Sequence, residues 1–199
     1  MDREITLPIA EKDVRGLRVG DILYITGKVF TARDEAHHLM LARREKGEEI
    51  PFHPEEMALF HCGPVVKEEA GSWRVIAAGP TTSVRMELFE DHFLSAFKTR
   101  IVIGKGGMGD RTQAALEKEG AVYAHYTGGA GALAAGAVRR VERVLWLEKL
   151  GMPEAVWILD VERFGPLLVT MDSAGGNLYK DLDRTISRNR ERINARIGA

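Results

Sequence analysis

The chain has 199 residues, 45% of them hydrophobic and 29% charged, with a formal net charge of -1. This is the composition of a globular domain large enough to bury a core without covalent staples. A charge near zero gives no electrostatic reason to expect nucleic acid or an anionic membrane as partner, and no apolar run approaches the roughly 20 residues that span a bilayer.

The N-terminal MDREITLPIAEKD mixes both signs of charge and lacks the apolar stretch of a signal peptide, so the cytoplasm is the expected compartment. DILYITGKVF, Asp21 to Phe30, reads as a strand. Residues 32–47 follow with helical spacing, placing Ala36, Leu39, Met40 and Arg43 on one face. Pro51, His53 and Pro54 break the chain before ALFHCGPVV, Ala58 to Val66, resumes an extended pattern. SWRVIAAG, Ser72 to Gly79, is a further strand, closed by Gly79-Pro80. Thr81 or Thr82 is placed to cap one helix reaching Phe97, with Met86, Phe89, Phe93 and Phe97 as its buried stripe. RIVIG, Arg100 to Gly104, is a short apolar strand entering a glycine-rich turn, after which Asp110 caps a helix ending near Gly120. Residues 121–125, 141–147, 155–161 and 166–172 supply four more strands.

Helices between strands imply an α/β fold with partly parallel pairing. Residues 1–180 read as one α/β domain and 181–199 as an arginine-rich C-terminal helix. Its stripe of Leu182, Ile186, Ile193 and Ile197 is expected to dock on the body, leaving a solvated basic face.

Four segments could carry chemistry. Arg33, in TARDEAHH, stands at a helix start, where the macrodipole favours anions; it fits better there if its guanidinium grips a carboxylate. The plainer alternative is a surface pair with Asp34 or Glu35. His37 and His38 are adjacent, so one of them is exposed, and no ligand cluster at suitable spacing supports a metal role. In AGPTTSVRMELF, the threonine hydroxyls, free backbone N–H groups and Arg85 can converge on one anion, or form an ordinary cap beside a surface arginine. IVIGKGGMGDR places a turn at the carboxyl end of a buried strand, with Lys105 as a point charge. Its order is not that of a P-loop, and a lone GxGxxG match without a following acidic strand end is a weak dinucleotide signal. TGGAGALAAGAV is almost all small residues, which suits close packing or, alternatively, an interface.

The ordered string ARDEAHH (Ala32–His38), HCGPV (His61–Val65), AGPTTSVRM (Ala78–Met86), IGKGGMG (Ile103–Gly109) and TGGAGAL (Thr127–Leu133) resembles the C-terminal domain of class I fumarases and the β subunit of two-chain fumarases and tartrate dehydratases. EKLGMPEAVWILDV and VTMDSAGG continue the likeness, which covers roughly Leu17 to Tyr179. The resemblance implies a swivelling mixed β-sheet domain flanked by helices, packed on a cluster-bearing α subunit in a hetero-oligomer. It implies a hydro-lyase acting on a small dicarboxylate, fumarate/malate or tartrate. Arg33, Arg85 and Lys105 correspond to the family's substrate-binding residues and Thr81 to its catalytic threonine.

Two arginines on separate segments suit a substrate with a carboxylate at each end. Cations aimed at the carboxylate beside the departing proton would stabilise the transition state more than the ground state. Ordinary acidity alone would favour His37 or His125 over Thr81 as base; the threonine needs cations such as Arg85 and Lys105 beside it. The departing hydroxyl calls for a Lewis acid, which the resemblance assigns to a [4Fe–4S] cluster. Cys62 is the only cysteine, so this chain cannot ligate that cluster and the partner must hold it; no metal ligand is expected here. The competing readings are a stand-alone anion- or nucleotide-binding module using the turn at 104–109, and a non-catalytic assembly scaffold.

Overall fold

The computed structural model describes residues 1–197. Strand β1 (Asp2–Thr6) leads through the short α1 (Glu11–Val14) into β2 (Ile22–Thr31) and α2 (Asp34–Glu45). β3 (Ala58–Phe60), β4 (Val65–Glu69) and β5 (Ser72–Ala77) follow. A 3-10 turn, Ser83–Met86, precedes α3 (Glu90–Phe97), and β6 (Ile101–Gly104), α4 (Asp110–Glu119) and β7 (Val122–His125) then alternate. α5 (Gly131–Gly136), β8 (Val138–Leu145), α6 (Leu147–Leu150) and β9 (Val156–Met171) complete the body before α7 (Leu178–Ile197).

The main sheet has the order β1-β2-β3-β6-β7-β9-β8. From β1 to β7 the pairings are parallel, and β9 is antiparallel to both β7 and β8. β9 also pairs antiparallel with β2, so the sheet closes on itself. β4 and β5 form a separate hairpin.

Strand side chains alternate between two cores. Val29, Phe60, Ile103, Ala124, Trp157 and Leu159 join the first, while Phe30, Leu59, Val102, Tyr123 and Ile158 join the second beneath α2, α3 and α4. Strands buried on both faces carry apolar side chains at successive positions, which is why ALF and IVI read as unbroken apolar runs. Phe60, Tyr126 and Phe164 interlock in the first core with ring centroids 5.2 to 6.3 Å apart.

The mixed α/β sheet flanked by helices agrees with the sequence expectation, with four differences. β1 was not anticipated, because DREIT is a largely exposed edge strand with no apolar pattern to announce it. The two expected strands at 155–161 and 166–172 are one strand, β9, carried through its middle by Arg163 in the left-handed region at φ 48°. The expected helix from Thr81 to Phe97 is divided, and neither threonine makes a side-chain cap. Breaking the helix at 87–89 turns Glu87 toward α4 and Glu90 inward, while Met86, Phe89, Phe93 and Phe97 remain buried as expected.

The fourth difference concerns α7. The helix forms, but its stripe does not dock on the body: Leu182, Ile186, Ile193 and Ile197 are 48 to 69% exposed. The last two positions of the expected 181–199 helix, Gly198 and Ala199, lie outside the described residues. No helix among the described residues is long and apolar enough to cross a membrane.

Candidate active site

The parallel strands β2, β3 and β6 end side by side, and the chain leaves their carboxyl ends through the turns that carry the expected site residues. Arg33 directly precedes α2 in extended conformation, with Asp34 and Glu35 supplying the acidic first turn that the helix dipole favours. Thr81 is held where its N–H donates to the His61 carbonyl at 2.6 Å, just beyond β3. Lys105 follows β6, and a bridge from Thr82 to Lys105 joins the two turns. Ser83 N–H also donates to the Lys105 carbonyl at 3.0 Å.

Arg33 does not make the local pair with Asp34 or Glu35, whereas Arg85 is a half-exposed arginine, as its plainer alternative had it, although no threonine cap accompanies it. Arg85 donates through Nε and Nη2 to the two oxygens of Asp34, 51 residues away, with Nε at 3.3 Å. This fork ties the Thr81–Arg85 segment to the start of α2. Arg33 Nε lies 3.2 Å from the Glu154 carboxylate, which also accepts the Glu35 N–H at 3.2 Å. Arg33 stretches over Gly63: a Cβ there would stand 2.7 Å from Nη1 and 2.5 Å from the Pro153 carbonyl, so the close approach needs glycine. The four expected residues are thus on one linked set of turns. The Arg85 side chain is 48% exposed and that of Arg33 21%. A cavity of about 1040 Å³ opens elsewhere, beside the 49–57 loop, the end of α3 and β8; none of the four residues lines it.

The glycine-rich turn has an intrachain explanation. The Glu87 carboxylate accepts N–H groups from Gly109 (2.7 Å), Arg111 (3.2 Å) and Thr112 (3.3 Å), and the Thr112 hydroxyl at 2.6 Å. An anion therefore already sits at the N-terminus of α4, where a nucleotide phosphate would need to bind. A Cβ at Gly109 would meet Glu87 Oε1 at 2.5 Å. The small-residue segment serves close packing, with Ala78 N–H donating to the Gly131 carbonyl at 2.9 Å where α5 crosses β5.

Beneath the turns lies a buried polar network that sequence reasoning missed. His37 Nε2 and His61 Nε2 lie 3.3 and 3.2 Å from Glu90 Oε2, and all three side chains are fully buried. His37 Nδ1 is 2.7 Å from the Arg33 carbonyl, and His61 Nδ1 is 2.9 Å from Ser83 Oγ. Ser83 Oγ also accepts the Tyr123 hydroxyl at 2.9 Å and the Lys105 N–H at 3.2 Å. Both acceptor positions of Ser83 are then filled, so its own proton goes to His61 Nδ1 and His61 carries its proton on Nε2, facing Glu90. Burial pushes the His61 pKa below its ordinary 6.5 despite the neighbouring carboxylate. Burial alone would raise Glu90, but the two histidines outweigh it and hold the carboxyl below its ordinary 4.5.

Two imidazoles and a carboxylate are the donor types of a metal centre, and they converge here. In this tautomer, however, His61 Nε2 presents a proton rather than a lone pair. Full burial also removes His37 from consideration as a base that meets substrate. His125, the other candidate base, is bonded to the Tyr179 hydroxyl at 3.0 Å. A sequence signal for the network existed in Glu90, a carboxylate on the apolar face defined by Met86, Phe93 and Phe97. Cys62 is 1% exposed, and burial raises its thiol pKa far above the ordinary range. It is a core side chain and does not fit a cluster ligand.

The family described as Fumarase C-terminus matches residues 2–182. An Escherichia coli K12 protein named L(+)-tartrate dehydratase subunit beta is 38% identical over 193 residues, covering 97% of this chain and 94% of that one. A Methanocaldococcus jannaschii protein provisionally given the same name is 42% identical over 190 residues, 96% of each chain. A Geobacillus stearothermophilus protein provisionally named fumarate hydratase class I is 42% identical over 186 residues, which are 92% of this chain and 35% of that one. The chain belongs to the fumarase C-terminal family.

Proposed function

We propose that this chain is the β subunit of a two-chain hydro-lyase that adds or removes water on a small dicarboxylate, fumarate/malate or tartrate. Likeness over 96–97% of this chain to proteins named tartrate dehydratase subunit beta supports a β chain, and that name implies a separate partner subunit. In this reading the partner α subunit holds the [4Fe–4S] cluster, and the pair forms a hetero-oligomer. The chemistry of Cys62 agrees, since a buried, protonated thiol offers no cluster ligand.

The observation that carries the proposal is the linkage of Arg33, Thr81, Arg85 and Lys105 through adjoining turns at the strand ends. Arg33 and Arg85 are proposed to grip the two carboxylates of the substrate. Arg85 uses Nε and Nη2 on Asp34, so Nη1 is without a partner among the described residues and can donate outward. Lys105 is proposed to stabilise the negative charge that develops as a proton leaves the carbon beside a carboxylate. Thr81 is proposed to take that proton as an alkoxide, its own hydroxyl proton having first been lost to solvent, a state that the positive charges of Arg85 and Lys105 make accessible. Val84 and Leu88 flank Arg85 with 56 and 74% of their surfaces exposed, an apolar rim suited to the partner.

In the paired enzyme, Thr81→Ser retains measurable turnover and Thr81→Val loses nearly all of it. Equal rates in the two would clear Thr81 of a chemical role. The nucleotide-binding alternative finds no support in a turn whose helix terminus is occupied by Glu87.

A further inference from the structure

We propose that Glu90, His37, His61 and Ser83 act as one buried positioning network that fixes the three turns bearing Arg33, Thr81 and Lys105. The catalytic consequence rests on the function proposed above; the geometry of the network does not.

Two side-chain arms end on the backbone of different turns, at Arg33 and at Lys105, and the Thr81 turn is held by the backbone of His61. His37 donates from Nδ1 to the carbonyl of Arg33 itself. His61 accepts the Thr81 N–H on its carbonyl, while its ring reaches Ser83. Ser83 Oγ accepts the Lys105 N–H, and Ser83 N–H donates to the Lys105 carbonyl, a reciprocal pair that fixes the Lys105 turn. Glu90 Oε2 accepts the His61 Nε2 proton at 3.2 Å, while His37 Nε2 lies 3.3 Å from the same oxygen without a hydrogen bond to it. Buried polar groups linked in this way are costly to disturb, because each lost partner leaves another group unsatisfied in low dielectric.

The packing leaves no slack around the key atom. A Cβ on Gly104 would fall 1.8 Å from Ser83 Oγ and 2.9 Å from the Tyr123 hydroxyl. The serine hydroxyl therefore lies directly against the strand end from which Lys105 emerges. Surface ion pairs could hold three turns only loosely, whereas donors with a single available direction specify where each turn sits. Ser83, His61 and Glu90 meet no substrate in this arrangement; their role is positional.

The test has two arms. In the full-length chain labelled with ¹⁵N-histidine, long-range ¹H–¹⁵N spectra of the wild type should show His61 protonated on Nε2 and unprotonated on Nδ1. The opposite tautomer would overturn the proposal. Ser83→Ala should release that tautomer preference and speed exchange of the Lys105 amide by about tenfold, the loss expected of one buried hydrogen bond. The Val122 amide, bonded to the Arg100 carbonyl at 3.0 Å, serves as an unaffected reference. In the anaerobically assembled pair, Ser83→Ala and Glu90→Gln should each lower kcat/KM by about tenfold or more with the pair still co-purifying. Folded variants within twofold of wild type would overturn the positioning role. If the wild-type pair turns over none of fumarate, malate and tartrate, the functional reading fails instead, and the spectra still decide whether the network exists.

Discussion

Arg85→Lys separates the structural role of this side chain from its proposed function. In the folded chain the guanidinium fork grips Asp34 through Nε and Nη2, at a site where the two side chains are 48 and 24% exposed. An ion pair so exposed contributes roughly 0.2–1 kcal/mol, and lysine retains the charge, so stability should change by less than about 1 kcal/mol. The substrate contact differs. A planar fork can give a carboxylate two parallel bonds, while an ammonium acts as a point charge. A hydrogen bond to a charged group contributes about 1.5–3 kcal/mol, which corresponds to roughly 10- to 150-fold in kcat/KM. The assay compares the melting temperature of the isolated chain with dicarboxylate turnover by the assembled pair. A variant that melts like wild type and loses at least tenfold in kcat/KM meets the expectation. Turnover within twofold of wild type would remove Arg85 from the site, and loss of folding would show that Asp34 needs the fork structurally.

Glu87→Ala removes a carboxylate that accepts three backbone N–H groups and a hydroxyl at the start of α4. Loss of such a cap costs about 2 kcal/mol, or roughly 4–8 °C in Tm, and an unchanged melting curve would contradict this role. Acid should destabilise the chain in a defined order. His61 has a lowered pKa in the fold, so below its ordinary 6.5 the unfolded chain takes up a proton that the folded one refuses, and stability falls as pH drops. Glu90 adds to the loss below its ordinary 4.5, since its folded carboxyl is also held low. A scan of Tm against pH should therefore decline from about neutrality downward; a maximum near pH ~5 would contradict the buried network.

The sequence pattern made the apolar skeleton legible because strands buried on both faces leave unbroken runs, as in ALF and IVI, and because Met86, Phe89, Phe93 and Phe97 keep helical spacing. It did not reveal β1, whose exposed DREIT has no apolar alternation, nor the continuity of β9 through Arg163. Arg33, Thr81, Arg85 and Lys105 stand out as candidates through ordered motifs, whereas their partners depend on long-range contacts. Glu154 lies 119 residues beyond Glu35, whose N–H it accepts, and Glu87 meets Gly109 across 22 residues. Nothing in local spacing specifies such pairs. His61 in ALFHCGP and Glu90 on an apolar helix face were the visible anomalies, each a polar group placed where burial demands a partner.

The most direct test of a shared site is to titrate this chain into the purified cluster-bearing partner under anaerobic conditions while following fumarate, malate and tartrate. The account predicts no turnover by either chain alone, and activity that rises with added β chain until the two are equimolar. Turnover by this chain in isolation, or a stable pair inert toward all three dicarboxylates, would contradict it.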